Sequence, residues 1–183
     1  DNGYGSYVWE DLVDELDFYF IGGGSYEEVL KGYRKLTGEA PLLPKWVFGY
    51  GQSKERYQTA EELVSIVKEY RKRNIPLDYV IQDWMTWEDG FWGQKSFDAS
   101  RYPDPKGMMK QIHDLGAHAL ISVWPNMQGD CPNQKELQKE GGMLGNQSTY
   151  NAFDSHARHI YWKQAEQGIF QYDLDGWWCD CTE

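Results

Sequence analysis

Two aspartates in this chain stand where an apolar run stops, Asp83 after Leu77–Gln82 and Asp180 after Gly176–Cys179. Indoles gather at the same kind of position: Trp84 beside Asp83, Trp124 after Ala119–Val123, and Trp178 two residues before Asp180. A carboxylate held in this way can attack the anomeric carbon of a sugar while a second carboxyl, about 5 to 5.5 Å away, protonates the departing oxygen. Flat indole faces suit the apolar faces of a sugar ring, and a few polar groups fix its orientation. On this reading Asp180 could be the attacking carboxylate, Asp83 is open to the same roles, and Trp84, Trp124 and Trp178 are candidate walls of a sugar pocket. Spacing alone leaves a second role open, because an aspartate at a strand end also caps the next helix or turn.

Elements must bring those positions together. From Trp46 onward short apolar runs alternate with amphipathic stretches, the pattern of a parallel α/β sheet. Strands are expected at Val47–Tyr50, Leu77–Gln82, Ala119–Val123 and Gly176–Cys179. Between them, Thr59 and Glu62 form a capping box for a helix to Arg73, and Asp104 with Pro105 opens a helix to Leu115, stopped by Gly116. A short helix over Asn133–Glu140 and another from Asp154 to about Gln167 complete the series. Four such units in about 140 residues match the first half of an eight-stranded (β/α)8 TIM barrel, in which function gathers at the carboxyl ends of the strands. A small doubly wound sheet is the alternative, but Gly51-Gln52-Ser53-Lys54 lacks the spacing of a phosphate-binding loop.

The N-terminal stretch reads differently. Leu16–Ile21 has the make-up of a strand, stopped by Gly22-Gly23-Gly24. Ser25 and Glu28 then box the start of a helix whose stripe is Val29, Leu30, Tyr33 and Leu36, and the prolines Pro41 and Pro44 mark a stiff linker. The expected organisation is therefore residues 1–24 as the end of a preceding domain, 25–45 as a connecting helix and linker, and 46–183 as the barrel segment.

Composition excludes several classes. A net charge of −11 without a clustered Lys/Arg stripe argues against nucleic acid and anionic membrane as partners. Arg71-Lys72-Arg73, the one basic run, ends a helix, where cations complement the macrodipole. Cys131, Cys179 and Cys181 make no disulfide framework, and Cys179-Asp180-Cys181 is no zinc knuckle. His156 and His159, three apart on a helix, read as a solvated face. No run of about 18 apolar residues spans a bilayer, and no signal-peptide pattern opens the chain.

An ordered set of motifs resembles glycoside hydrolase family 31. It runs from Tyr33-Arg34-Lys35-Leu36-Thr37-Gly38 and Pro41-Leu42-Leu43-Pro44-Lys45-Trp46 through Gln52–Tyr57, Gln82-Asp83-Trp84 and Tyr102-Pro103-Asp104-Pro105. It ends in Ile121–Pro125 and Asp175–Glu183. The resemblance implies that Asp180 is the nucleophile of the family's Trp-x-Asp-x-x-Glu motif, that Trp178 walls the subsite of the cleaved sugar, and that Asp83 binds that sugar's hydroxyls. It also implies that residues 1–24 end a β-sandwich domain, and that the acid/base aspartate lies beyond Glu183, leaving this segment catalytically incomplete. The implied substrate is an oligosaccharide or glycoconjugate with a terminal α-linked sugar, cleaved without metal or cofactor. Two departures stand out: Cys181 replaces the common Met or Phe, and Met85 stands where a second acidic residue is frequent. The latter points towards α-xylosidases and α-N-acetylgalactosaminidases rather than starch-type α-glucosidases. A transglycosidase of the same family, or a carbohydrate-binding protein without catalysis, are the rival readings.

Overall fold

The structure, a computed structural model, describes residues 3, 5 and 7–182 and divides into two units, residues 1–43 and 44–183. In the first unit, helix α1 (Tyr26–Thr37) is capped at both ends. Ser25 Oγ accepts from Glu28 N at 3.3 Å, the Glu28 carboxylate accepts from Gly24 N at 2.7 Å, and Gly38 closes the helix with φ +84°. The strand expected over Leu16–Ile21 does not form. An alternating segment is extended only where a partner strand completes its hydrogen bonds, and none of the described residues of this unit supplies one.

The second unit is a four-stranded parallel sheet in the order β1 (Gly51–Gln52), β2 (Tyr79–Gln82), β3 (His118–Val123) and β4 (Gly176–Cys179). Its helices are α2 (Ala60–Lys72), α3 (Pro105–Asp114), α4 (Pro132–Lys139) and α5 (Ser155–Gly168). Strands that follow one another in sequence and in space, without a reversal of order, belong to a barrel wall and not to a doubly wound sheet.

The first strand differs from expectation. Lys45–Phe48 forms one 3₁₀ turn, and pairing starts only where Tyr50 O accepts from Asp78 N at 2.9 Å. The Asp78 carboxylate decides this. It accepts from Tyr50 N at 3.0 Å and fills the space beside Gly49, where a Cβ would lie 2.0 Å from it.

The helices start where their caps require. Thr59 Oγ1 accepts from Glu62 N at 3.1 Å, Asp104 Oδ1 from Gly107 N at 2.8 Å, and Asp154 from His156 N at 3.0 Å. Leu63, Val64 and Val67 of α2 and Met108, Met109 and Ile112 of α3 are buried on one side of the sheet against Val80, Ala119, Ile121 and Val123. Each such side chain contributes about 1.5–3 kcal/mol when withdrawn from water. Arg71 ties the layers together, its guanidinium donating to Leu115 O at 2.6 Å, Leu77 O at 2.8 Å and Gly116 O at 2.9 Å. The cation at this helix end thus satisfies carbonyls of its neighbours, beyond complementing its own dipole.

A second core lies under the long connection from β3 to α5, where Met127, Cys131, Leu137, Met143, Ala157 and Ile160 meet. His156 and His159 are exposed on α5. No helix among the described residues is long and apolar enough to cross a membrane.

Candidate active site

Side chains alternate between the two faces of a strand. In β3, Ala119, Ile121 and Val123 face the helices, so His118, Leu120 and Ser122 face the other side. Register carries the alternation across the sheet: Ser122 pairs with Trp178 and Leu120 with both Ile81 and Gly176. Counted in the same way, Asp83, Ser122, Trp124, Trp178 and Asp180 all belong to the face turned away from the helices, at the carboxyl ends of β2, β3 and β4. That is the inner face and the catalytic pole of a barrel. Trp178 is 47% exposed because none of the described residues covers this face beside it.

Asp180 continues the ladder, its N–H donating to Val123 O at 3.0 Å. Its Oδ1 accepts from Cys181 N at 2.9 Å, and Cys181, with φ +50°, turns the chain away from the strand direction. The last residue of the motif, Glu183, lies outside the described residues.

Asp83 is a perturbed carboxylate. Burial pushes its pKa up and the neighbouring charge of Asp180 pushes the same way, opposed by hydrogen bonds from Trp84 N, at 2.8 Å, and from the Ser122 hydroxyl. Each aspartate also accepts from the backbone N–H of the residue after it, Trp84 and Cys181, so both take part in the turn that leaves their strand.

Ser122, buried to 2% exposure, was not among the residues picked out from the sequence. Its Oγ accepts from Trp124 Nε1 at 3.0 Å, leaving its proton for Asp83. The signal was present in its position two residues before Trp124, on the same side of the strand.

The indoles are held by a layer behind them. Trp92 stands at the centre, with ring centroids 5.4 Å from Trp84, 5.9 Å from Trp87 and 5.0 Å from Trp124. The loop that carries it thus packs its own aromatics, with Trp87 buried, and at the same time backs the site. Arg101 fastens this loop by donating to Met85 O at 2.7 Å, to Trp87 O and to Asp98 Oδ2 at 3.0 Å. Arg56 lies over the Trp84 ring, 5.4 Å from its centroid. The carbonyl of Trp124 accepts from Tyr161 Oη at 2.8 Å and from Lys95 Nζ at 3.4 Å, and Lys95 itself sits 4.1 Å above the Tyr161 ring. Lys95 is only 3% exposed, and burial pulls its pKa down to about 7.

The parallel sheet with its helices agrees with the comparison to known proteins. Residues 40–183 match the TIM-barrel domain of the glycosyl hydrolases of family 31. The chain belongs to that family. An α-xylosidase of Saccharolobus solfataricus is 40% identical over 176 residues, which cover 96% of this chain and 24% of the relative. The crystal structure of an α-xylosidase of the family from Xanthomonas citri superposes with a TM-score of 0.80 at 38% identity, over 85% of this chain and 19% of that one. A family 31 α-xylosidase from a soil metagenome, solved with xylose, aligns with a TM-score of 0.72 at 29% identity, over 79% of this chain and 23% of that one. This family 31 chain therefore spans about a quarter of the length of the relatives it matches.

Proposed function

We propose that the protein carrying this chain is a retaining α-glycosidase that removes a terminal non-reducing α-linked sugar, with Asp180 as nucleophile. One observation carries the proposal: Asp180 and Asp83 share the inner face at the strand ends, near enough for the charge of one to raise the pKa of the other. In the first step an Asp180 oxygen bonds to the anomeric carbon as the bond to the leaving oxygen breaks. That oxygen takes its proton from an acid/base carboxyl supplied by a segment after Glu183. Water, deprotonated by the same group, then releases the sugar and restores Asp180. Asp83 accepts hydrogen bonds from the sugar's hydroxyls, while Trp84, Trp124 and Trp178 wall its ring. Neither step requires a metal or an organic cofactor.

Xylose is the favoured sugar. The relatives named above are α-xylosidases, and one of them was solved with xylose. Met85, in place of a second carboxylate beside Asp83, fits a pocket that makes fewer polar contacts at the far edge of the ring. N-acetylgalactosamine and glucose are the competing sugars, and residues 1–24 read as the end of a preceding β-sandwich domain.

The test is hydrolysis of aryl α-xyloside, α-glucoside, α-galactoside and α-N-acetylgalactosaminide by the full-length protein and its Asp180→Asn variant. Turnover of one glycoside, abolished in a variant that still binds the sugar, is the expected result. Undiminished turnover by Asp180→Asn would remove the assignment. Transfer to an added sugar in preference to water would make the protein a transglycosidase, and binding without turnover of any glycoside would make it a carbohydrate-binding protein.

A further inference from the structure

At the other ends of β3 and β4 from Asp180, three metal-ligating side chains converge. His113 comes from the last turn of α3, His118 opens β3, and Asp175 immediately precedes β4. His113 Nε2 lies 2.7 Å from Asp175 Oδ2 and His118 Nδ1 lies 2.8 Å from Asp175 Oδ1. One nitrogen of each ring and a carboxylate oxygen fall within 4.8 Å of one another.

The surroundings resemble a built site more than a chance meeting of surface groups. Ala119 N donates to Asp175 Oδ2 at 2.9 Å and fixes the carboxylate. The Trp46 indole stacks on the His118 ring, 4.2 Å between centroids and 21° between planes, and fixes the imidazole. Gly116, with φ +68°, makes the tight turn that returns the chain from α3 to β3 and so brings the two histidines to one place. All three side chains are partly exposed, and they open on a hollow of about 400 Å³ that they share with Gly116 and Ala117.

We propose that His113, His118 and Asp175 bind a structural zinc ion at the pole opposite the catalytic one. Zinc bonds to imidazole nitrogen and carboxylate oxygen are 2.0–2.2 Å long, which in a tetrahedron separates ligand atoms by roughly 3.4 Å. The two imidazole nitrogens contact different oxygens of Asp175, and one ligand atom from each of the three residues lies within 4.8 Å of the others, so small side-chain rotations suffice to reach that spacing. Two imidazoles and one carboxylate suit zinc, whereas calcium and magnesium require oxygen-rich shells. The hollow leaves the fourth position to water. Five residues of strand, roughly 16 Å, separate Asp175 from Asp180, so the ion would clasp α3, β3 and β4 together and take no part in the chemistry at the other pole.

The rival is a cluster held by hydrogen bonds alone, and one substitution separates the two. In His118→Lys a hydrogen-bond donor still faces Asp175, but at neutral pH the ammonium has no lone pair to give a metal. Full-length protein freed of metal with a chelator would be titrated calorimetrically with zinc, and its thermal unfolding followed in parallel. Wild type is expected to bind one zinc per chain and to unfold at a higher temperature when loaded. His113→Gln and His118→Lys are each expected to lose at least about tenfold in zinc affinity while still unfolding cooperatively. No stoichiometric zinc bound by wild type, or equal binding by a folded His118→Lys, would overturn the proposal.

Discussion

Replacing Ser122 by alanine tests how the inner face works as a unit. In the folded protein the Ser122 hydroxyl accepts from Trp124 Nε1 at 3.0 Å and lowers the pKa of Asp83 by donating to it. Alanine fits the same space, so the backbone stays as it is, but two polar groups lose a partner. A hydrogen bond to a charged group is worth about 1.5–3 kcal/mol. At about 1.4 kcal/mol per factor of ten, kcat/KM for the preferred α-glycoside should fall by about ten- to a hundredfold, provided Asp83 binds sugar as the carboxylate. A second readout gives the sign. Without Ser122, burial and the charge of Asp180 act on Asp83 with less opposition, so its pKa rises. The acid limb of the kcat/KM profile of the full-length protein should therefore move to higher pH. If the Ser122→Ala variant keeps its unfolding temperature and its profile superimposes on that of wild type, the coupling of Trp124 to Asp83 through this hydroxyl is wrong.

Two more predictions rest on buried charge. Because Asp83 has a folded pKa above its unfolded one, its ionisation opposes folding; the penalty is absent below the unfolded value and complete above the folded one. Asp83→Asn should therefore match or exceed wild type in thermal stability at neutral pH while binding sugar more weakly, and a clearly lower melting temperature would contradict this. Lys95 has the reverse sign: its folded pKa, about 7, lies below its ordinary value of 10.5, so wild type should gain stability as the pH rises from 7 towards 10.5. Lys95→Met should lack that gain, and parallel melting-temperature curves for the two proteins would refute it.

What could be read from the sequence was what local chemistry decides. Thr59, Asp104 and Asp154 cap helices because their side chains accept from backbone N–H groups two or three residues away, an interaction written entirely within a short stretch. The strands β2, β3 and β4 were legible for a similar reason, since each is an apolar run bounded by polar residues. Residues 47–50 were not, because the force that bends them into a turn is Asp78, which comes from the edge of the next strand. Leu16–Ile21 shows the converse, strand-like residues without a strand beside them. The backing of the site was hidden in the same way. Lys95 and Tyr161 meet at the carbonyl of Trp124 from separations of 29 and 37 residues, and no spacing rule joins them.

The period of two along a parallel strand explains why strand-end positions were informative at all. Once Ala119, Ile121 and Val123 are committed to the helices, Ser122 and Trp124 have no choice of face, and register extends the same constraint to Trp178 and Asp180. A one-residue slip of β4 would turn Asp180 into the helical layer, where an ionised carboxylate is costly, and would bring Trp178 with it. Trp177, packed 5.9 Å from Phe170 and 6.3 Å from Trp162, opposes that slip, because it would leave this apolar cluster for the uncovered face. The large side chain that never touches the site is therefore the one that sets which way its aspartate points.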